Sequence, residues 1–126
     1  MRNFFLIALL ATGLSACAQS SGSNLDVSQV SQMILDKENI VLIDVRTPEE
    51  FQEGHLEGAK LINFYAANFQ EEVKKLDASK KYVVYCRSGG RSSKSVSAMK
   101  KIGFKDVYNM SGGVLAWQRA KNNLVK

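Results

Sequence analysis

The chain has 126 residues, 45% of them hydrophobic and 23% charged. That suits one packed domain with a short appendage and excludes both a second core and wholesale disorder. Its 17 basic and 12 acidic residues leave a net charge of +5, but lysines such as Lys37, Lys60, Lys74, Lys80 and Lys100 are scattered, with no basic stripe interleaved with aromatics. Nucleic acid is therefore not an expected partner, whereas a mild attraction for small anions is expected.

The first segment reads as an address. Arg2 opens a short positive region, Phe4 to Leu14 form an apolar run, and small residues lead to a cysteine in Gly13-Leu14-Ser15-Ala16-Cys17, which is a secretory layout. A run of eleven residues falls short of the ~20 that a membrane-crossing helix needs. Leu14-Ser15-Ala16-Cys17 resembles the bacterial lipobox. The resemblance implies a signal peptide over 1–16, cleavage before Cys17, lipid on its sulfur and an acylated amine. Several acyl chains give a stable anchor, since each buried methylene contributes ~0.8 kcal/mol. Residues 17–24 are then a flexible Ser- and Gly-rich tether to a domain over 25–126. The expected location is the periplasmic side of the bacterial envelope, and Ala18 after the cysteine, in place of aspartate, hints at the outer membrane. The alternative is ordinary cleavage, with Cys17 a free thiol on a soluble periplasmic or secreted protein. A lipidated Cys17 leaves Cys86 without a partner in the chain.

Beyond the tether, short apolar runs alternate with amphipathic stretches. A brief edge strand is expected near Leu25 to Val27, then a helix behind Ser28 as N-cap, with Val30, Met33 and Ile34 on one face. Ile40 to Val45 is a clear strand. Thr47-Pro48-Glu49-Glu50 reads as a capping box with proline at the first helical position. A weaker strand follows at Ala59 to Ile62. Asn68 with Glu71 repeats the capping device before Phe69, Val73 and Leu76. The second clear strand is Tyr82 to Cys86. A helix is expected over Arg91 to Ile102, with Val96, Met99 and Ile102 inward, lysines in its last turn and Gly103 ending it. Asp106 to Asn109 is a weaker strand, and a last helix after Gly112-Gly113 presents Val114, Trp117 and Ala120.

This alternation predicts an α/β fold: a parallel sheet with helices on both faces, in three layers. In such a sheet the segments after the strands gather at one edge, where ligands bind. That edge collects Asp44-Val45-Arg46, Cys86 to Arg91, and Ser111-Gly112-Gly113.

The strongest chemical signal is Cys86-Arg87-Ser88-Gly89-Gly90-Arg91 between a strand and a helix. Two glycines let the backbone turn sharply so that its N–H groups point inward as an anion nest. The helix start adds its positive end, and Arg87 and Arg91 add full charges. All three favour thiolate over thiol. A cysteine closing a buried strand is ordinarily just a small apolar core residue; the glycines, arginines and helix start beside it point instead to a nucleophile. Asp44 and Arg46 lie at the same edge, where Arg46 either touches substrate or, the favoured reading, braces loops together with Asp44. His55, the single histidine, follows Gly54 in a turn and reads as structural. Trp117 reads as core, and Gly112 and Gly113 as a tight entry into the last helix close to the site.

Four motifs in order resemble the rhodanese homology domain: Asp44-Val45-Arg46, Gly54-His55-Leu56-Glu57-Gly58-Ala59, Cys86 through Arg91, and Gly112-Gly113-Val114-Leu115-Ala116-Trp117. The resemblance spans Leu25 to Gln118. It implies a five-stranded parallel sheet and a catalytic cysteine, matched by Cys86, that carries sulfane sulfur. It also implies a substrate loop, matched by Arg87, Ser88, Gly89, Gly90 and Arg91, in which the arginines grip an anionic donor such as thiosulfate. Sulfur then passes to cyanide or a thiol by double displacement, with no metal or organic cofactor and no role for His55. Relatives of the phosphatase or arsenate-reductase pattern have five residues between cysteine and arginine. Here four stand between Cys86 and Arg91, and Ser92 follows. A rival reading within the family is a persulfide carrier or oxidant sensor that relays sulfur to a thiol protein.

Overall fold

The computed structural model describes residues 22–126; the expected signal peptide, most of the tether and Cys17 lie outside the described residues. The apolar runs become strands β1 (Asn24–Leu25), β2 (Ile40–Asp44), β3 (Lys60–Leu61), β4 (Lys81–Tyr85) and β5 (Val107–Met110). Between them lie helices α1 (Val27–Leu35), α2 (Pro48–Glu53), α3 (Phe69–Lys74), α4 (Gly90–Lys101) and α5 (Gly113–Arg119). The strands form one parallel sheet in the order β1-β5-β4-β2-β3. The expected α/β architecture, five parallel strands with helices on both faces, is the one observed.

The central strand explains the layering. Successive side chains of a strand point to opposite faces, and both faces of a parallel sheet are covered. In β4, Tyr82 and Val84, followed by Cys86, join a core with Phe69 and Val73 of α3 and Val96 and Met99 of α4. Val83 and Tyr85 join a second core with Val27, Val30 and Met33 of α1 and Val114 and Trp117 of α5. Tyr82 through Cys86 are all within 1% of complete burial, and each large side chain contributes roughly 1.5–3 kcal/mol by leaving water. Because β4 lies between β2 and β5, the chain after each of these three strands emerges side by side.

Several local expectations are corrected. The cap of α1 is Asp26, whose Oδ1 accepts from Gln29 N at 2.8 Å while Gln29 Oε1 accepts from Asp26 N at 2.9 Å. Ser28 already lies inside the helix, where its hydroxyl cannot cap the first turn. The inward stripe therefore starts one turn earlier, at Val27, and Ile34 is 39% exposed. β1 also begins earlier than expected: Asn24 pairs with Asn109 and Leu25 with Met110, so the end of the tether belongs to the sheet. Asn68 makes no capping bond because its backbone (φ −94°, ψ 14°) is not extended. At Ile102 the helix has ended, its side chain is half exposed, and Phe104 beyond Gly103 fills the core instead. Ala120 lies exposed just past the end of α5.

Candidate active site

β4 ends directly at Cys86, and the loop to α4 folds back over its sulfur. Gly89 adopts φ +110°, a conformation that side chains resist, and this turns its N–H onto Cys86 Sγ at 3.1 Å. Gly90 has no such φ and is the first residue of α4, so only one of the two glycines performs the turn. Ser92, completely buried in the first turn of α4, donates its hydroxyl to Sγ at 3.3 Å. Burial pushes the Cys86 thiol up. Hydrogen bonds from the Ser92 hydroxyl and from the backbone at Ser92, Gly89 and Ser88 outweigh it and hold the thiol below its ordinary range. Among the described residues Cys86 is a free, buried cysteine.

Ser92 was not among the expected site residues, although its position was informative. It stands four residues before Val96 and seven before Met99 on the inward stripe of α4. A polar residue at the thiol end of an apolar stripe needs a buried partner, and that partner is the sulfur.

The carbonyls of the loop are held from the other side. Val114 N donates to Cys86 O at 2.9 Å and Leu115 N to Arg87 O at 3.0 Å, so the first turn of α5 docks onto the loop backbone. Gly112 and Gly113 permit this approach. Both have positive φ; a Cβ on Gly113 would overlap Cys86 O and Arg87 O, and one on Gly112 would lie 2.6 Å from Ala116 Cβ.

The two loop arginines differ. Arg87 and Ser88 are exposed at the surface. Arg91 is tied to Glu50 by two parallel bonds of 2.9 Å, Nη1 to Oε1 and Nη2 to Oε2, and its guanidinium lies 5.5 Å from the Tyr65 ring centre. The hydrogen bonds from Arg91 hold the Glu50 carboxyl below the usual carboxylate range. The expected capping box at Thr47 is therefore half closed. Glu50 N donates to Thr47 Oγ1 at 3.3 Å, but the Glu50 carboxylate serves Arg91 and the Thr47 hydroxyl rather than the Thr47 N–H. Arg91 is thus not the bare cation that its place in the loop suggested.

Arg46 is 5% exposed and Asp44 fully buried. Arg46 Nε and Nη2 bind the Asp44 carboxylate at 2.7–3.0 Å, and Nη2 also donates to Gly54 O at 2.6 Å. This is the bracing arrangement, fastening the end of β2 to the turn after α2. Arg46 nevertheless forms part of a cavity of about 700 Å³ that also touches Glu50, Glu53, Tyr65, Arg87 and Arg91. The described residues contain no cluster of three or more His, Cys, Asp or Glu side chains suited to a metal ion.

The rhodanese-like domain family matches residues 26–120. The chain belongs to that family. It is 34% identical over 104 residues to the probable adenylyltransferase/sulfurtransferase MoeZ of Mycobacterium tuberculosis, covering 82% of this chain but only 26% of MoeZ. It is 37% identical over 94 residues to the thiosulfate sulfurtransferase GlpE of Pseudoalteromonas translucida, covering 74% of this chain and 87% of GlpE. The crystal structure of a rhodanese-related protein from Thermoplasma volcanium shares the fold, with a TM-score of 0.73 at 24% identity, over 81% of this chain and 96% of that one. Sulfur transfer is the general chemistry that the curated relatives support.

Two residues of this rhodanese-like domain stand apart from the sulfur. His55 Nδ1 lies 2.9 Å from Phe51 O, its ring stacks on Phe51 at 3.7 Å, and its backbone bridges to Val125. That is a structural turn. Trp117 is buried in the second core and donates Nε1–H to Asn123 O at 2.8 Å, which pins the C-terminal tail rather than lining the pocket.

Proposed function

We propose that this chain is a sulfurtransferase that moves sulfane sulfur from thiosulfate to cyanide or a thiol through a persulfide on Cys86. The observation behind this reading is the buried sulfur that receives the Gly89 N–H and the Ser92 hydroxyl together. The Cys86 thiolate attacks the outer sulfur of thiosulfate, a new S–S bond forms, the old one breaks, and its electron pair leaves on sulfite. A thiolate or cyanide then attacks the outer sulfur of the persulfide and returns the Cys86 thiolate. The donors around Sγ stabilise the thiolate that begins the first half-reaction and is returned as leaving group by the second. Exposed Arg87 supplies the positive charge that attracts the donor. The likeness to a relative named thiosulfate sulfurtransferase supports thiosulfate as donor.

The Glu50–Arg91 pair favours a second reading, relay of sulfur to a thiol protein. It takes charge away from the grip on a small anion, and the cavity beside it also presents Glu53. One experiment separates the two. The purified protein is incubated with thiosulfate, its intact mass is recorded, and thiocyanate release on adding cyanide is followed, with Cys86→Ser as control. The sulfurtransferase reading predicts one added sulfur on Cys86 and catalytic thiocyanate turnover. Added sulfur without turnover favours the relay, and neither sinks thiosulfate chemistry. We further propose lipid on Cys17 as the anchor to the envelope. Labelled fatty acid should enter the wild-type chain in cells and be absent from Cys17→Ala.

A further inference from the structure

Away from Cys86, an apolar opening lies between α3 and α4. Phe69 and Val73 of α3 and Ala98 of α4 form its floor, half-exposed Ile102 closes one end, and the hollow measures about 550 Å³. It runs on into a second hollow of about 620 Å³ that shares Phe69, Lys74, Lys94 and Ala98 and adds Phe64 and Ala67. Lys74, Lys94 and Lys101, all exposed, stand along this groove. None of them joins an ion pair among the described residues, and Glu71 is the sole carboxylate on the groove walls.

Aromatic contacts link the groove to the cavity that Arg87 and Arg91 line. Tyr65, 68% exposed, lies against the Arg91 guanidinium at one side and packs on Phe64 at 5.6 Å at the other; Phe64 in turn meets Phe69 at 5.4 Å. Three aromatic rings therefore connect the cavity that Arg87 and Arg91 line with the groove floor. An apolar floor between unpaired lysines selects a segment with an apolar face and flanking carboxylates. The aromatic connection selects a partner that reaches Cys86 while seated there.

We propose that the α3/α4 groove docks an acidic, amphipathic segment of a thiol-bearing protein that takes sulfur from Cys86. This rests on the sulfur-transfer reading above and names the class of acceptor. A bilayer rich in anionic lipid shares the charge but not the shape, because a concave groove fits a chain and not a plane.

The test uses the full chain loaded with sulfur at Cys86 and two synthetic acceptor peptides. One is an amphipathic helix with a single cysteine and a glutamate-rich polar face; its twin has lysines in place of the glutamates. The expected result is a KM for the acidic peptide at least about tenfold below that of its twin, falling away as salt is raised. The triple variant Lys74→Gln, Lys94→Gln, Lys101→Gln should remove most of that preference and leave sulfur transfer to dithiothreitol unchanged, which also reports that it is folded. Equal KM values for the peptides, or a preference untouched by the triple variant, overturn the proposal. So does lysine-dependent binding to phosphatidylglycerol vesicles without peptide preference. Binding of the acidic peptide with its cysteine replaced by serine, followed by fluorescence anisotropy, needs no sulfur chemistry. If Cys86 fails to load, the sulfur-transfer reading fails, while the anisotropy result still decides the groove.

Discussion

The Cys86 sulfur sits where two effects of opposite sign meet. Burial from water favours the neutral thiol, and hydrogen bonds from the loop and from Ser92 favour the thiolate. The balance lies with the thiolate, so reactivity toward an alkylating reagent should reach its plateau at a lower pH than for an ordinary cysteine. Ser92→Ala removes the one side-chain donor while leaving the backbone donors in place. Its alkylation midpoint should move to higher pH, and sulfur transfer near neutral pH should fall by roughly tenfold, the effect of losing one hydrogen bond to a charged group. A rate–pH profile with iodoacetamide checks both, and an unmoved midpoint removes Ser92 from the machinery. At the same scale, Arg46 shows why residue type alone did not assign a role. Its guanidinium is charged and lies beside the pocket, but its Nε and Nη2 donors are taken up by Asp44 and Gly54.

At the scale of elements, the site depends on two helix starts converging on one loop. α4 begins at Gly90 and brings Ser92 to the sulfur, while α5 begins at Gly113 and brings two N–H groups to the loop carbonyls. Neither start has a side-chain cap, and at α5 the loop backbone accepts two of the N–H groups that a cap would leave free. Gly113→Ala should therefore destabilise the protein by about 3 kcal/mol or more, because the methyl overlaps two carbonyls and the backbone is held at φ +56°. Activity should fall with it. Gly90→Ala is the matched control, since nothing lies within 4 Å of the added methyl and φ is unrestricted. It should be neutral or slightly stabilising. Chemical denaturation of the two variants measures the contrast, and equal stabilities would show that α5 does not need its close approach to the loop.

For the whole molecule, the end of the chain closes the second core. Asn123 O accepts from the buried Trp117 indole, Leu124 packs beside Gly54, and Val125 exchanges two 2.8 Å backbone bonds with His55. Removing residues 123–126 leaves a buried donor unpaired and uncovers Leu124's neighbours. The expected cost is about 3 kcal/mol, seen as a Tm lower by roughly 10–15 °C in scanning calorimetry. A Tm within a degree or two of the full chain would show the tail to be ornamental.

The alternation of apolar runs with amphipathic stretches was enough to predict the parallel sheet, its helix-covered faces and the edge where the strands end. Period-2 and helical patterns record directly which faces leave water. The glycine-rich turn after Cys86 was legible for a similar reason: local backbone geometry leaves its mark in residue type. Helix boundaries were less legible: Ser28 was read as the cap of the first helix, but Asp26 caps it and Gln29 closes the box. Long-range pairings were not legible at all. Glu50 lies 41 residues from the Arg91 that it neutralises, Arg46 meets the Gly54 carbonyl, and the tail returns to His55. Local sequence sets what a residue can donate or accept, and only the folded sheet decides which partner comes within reach of it.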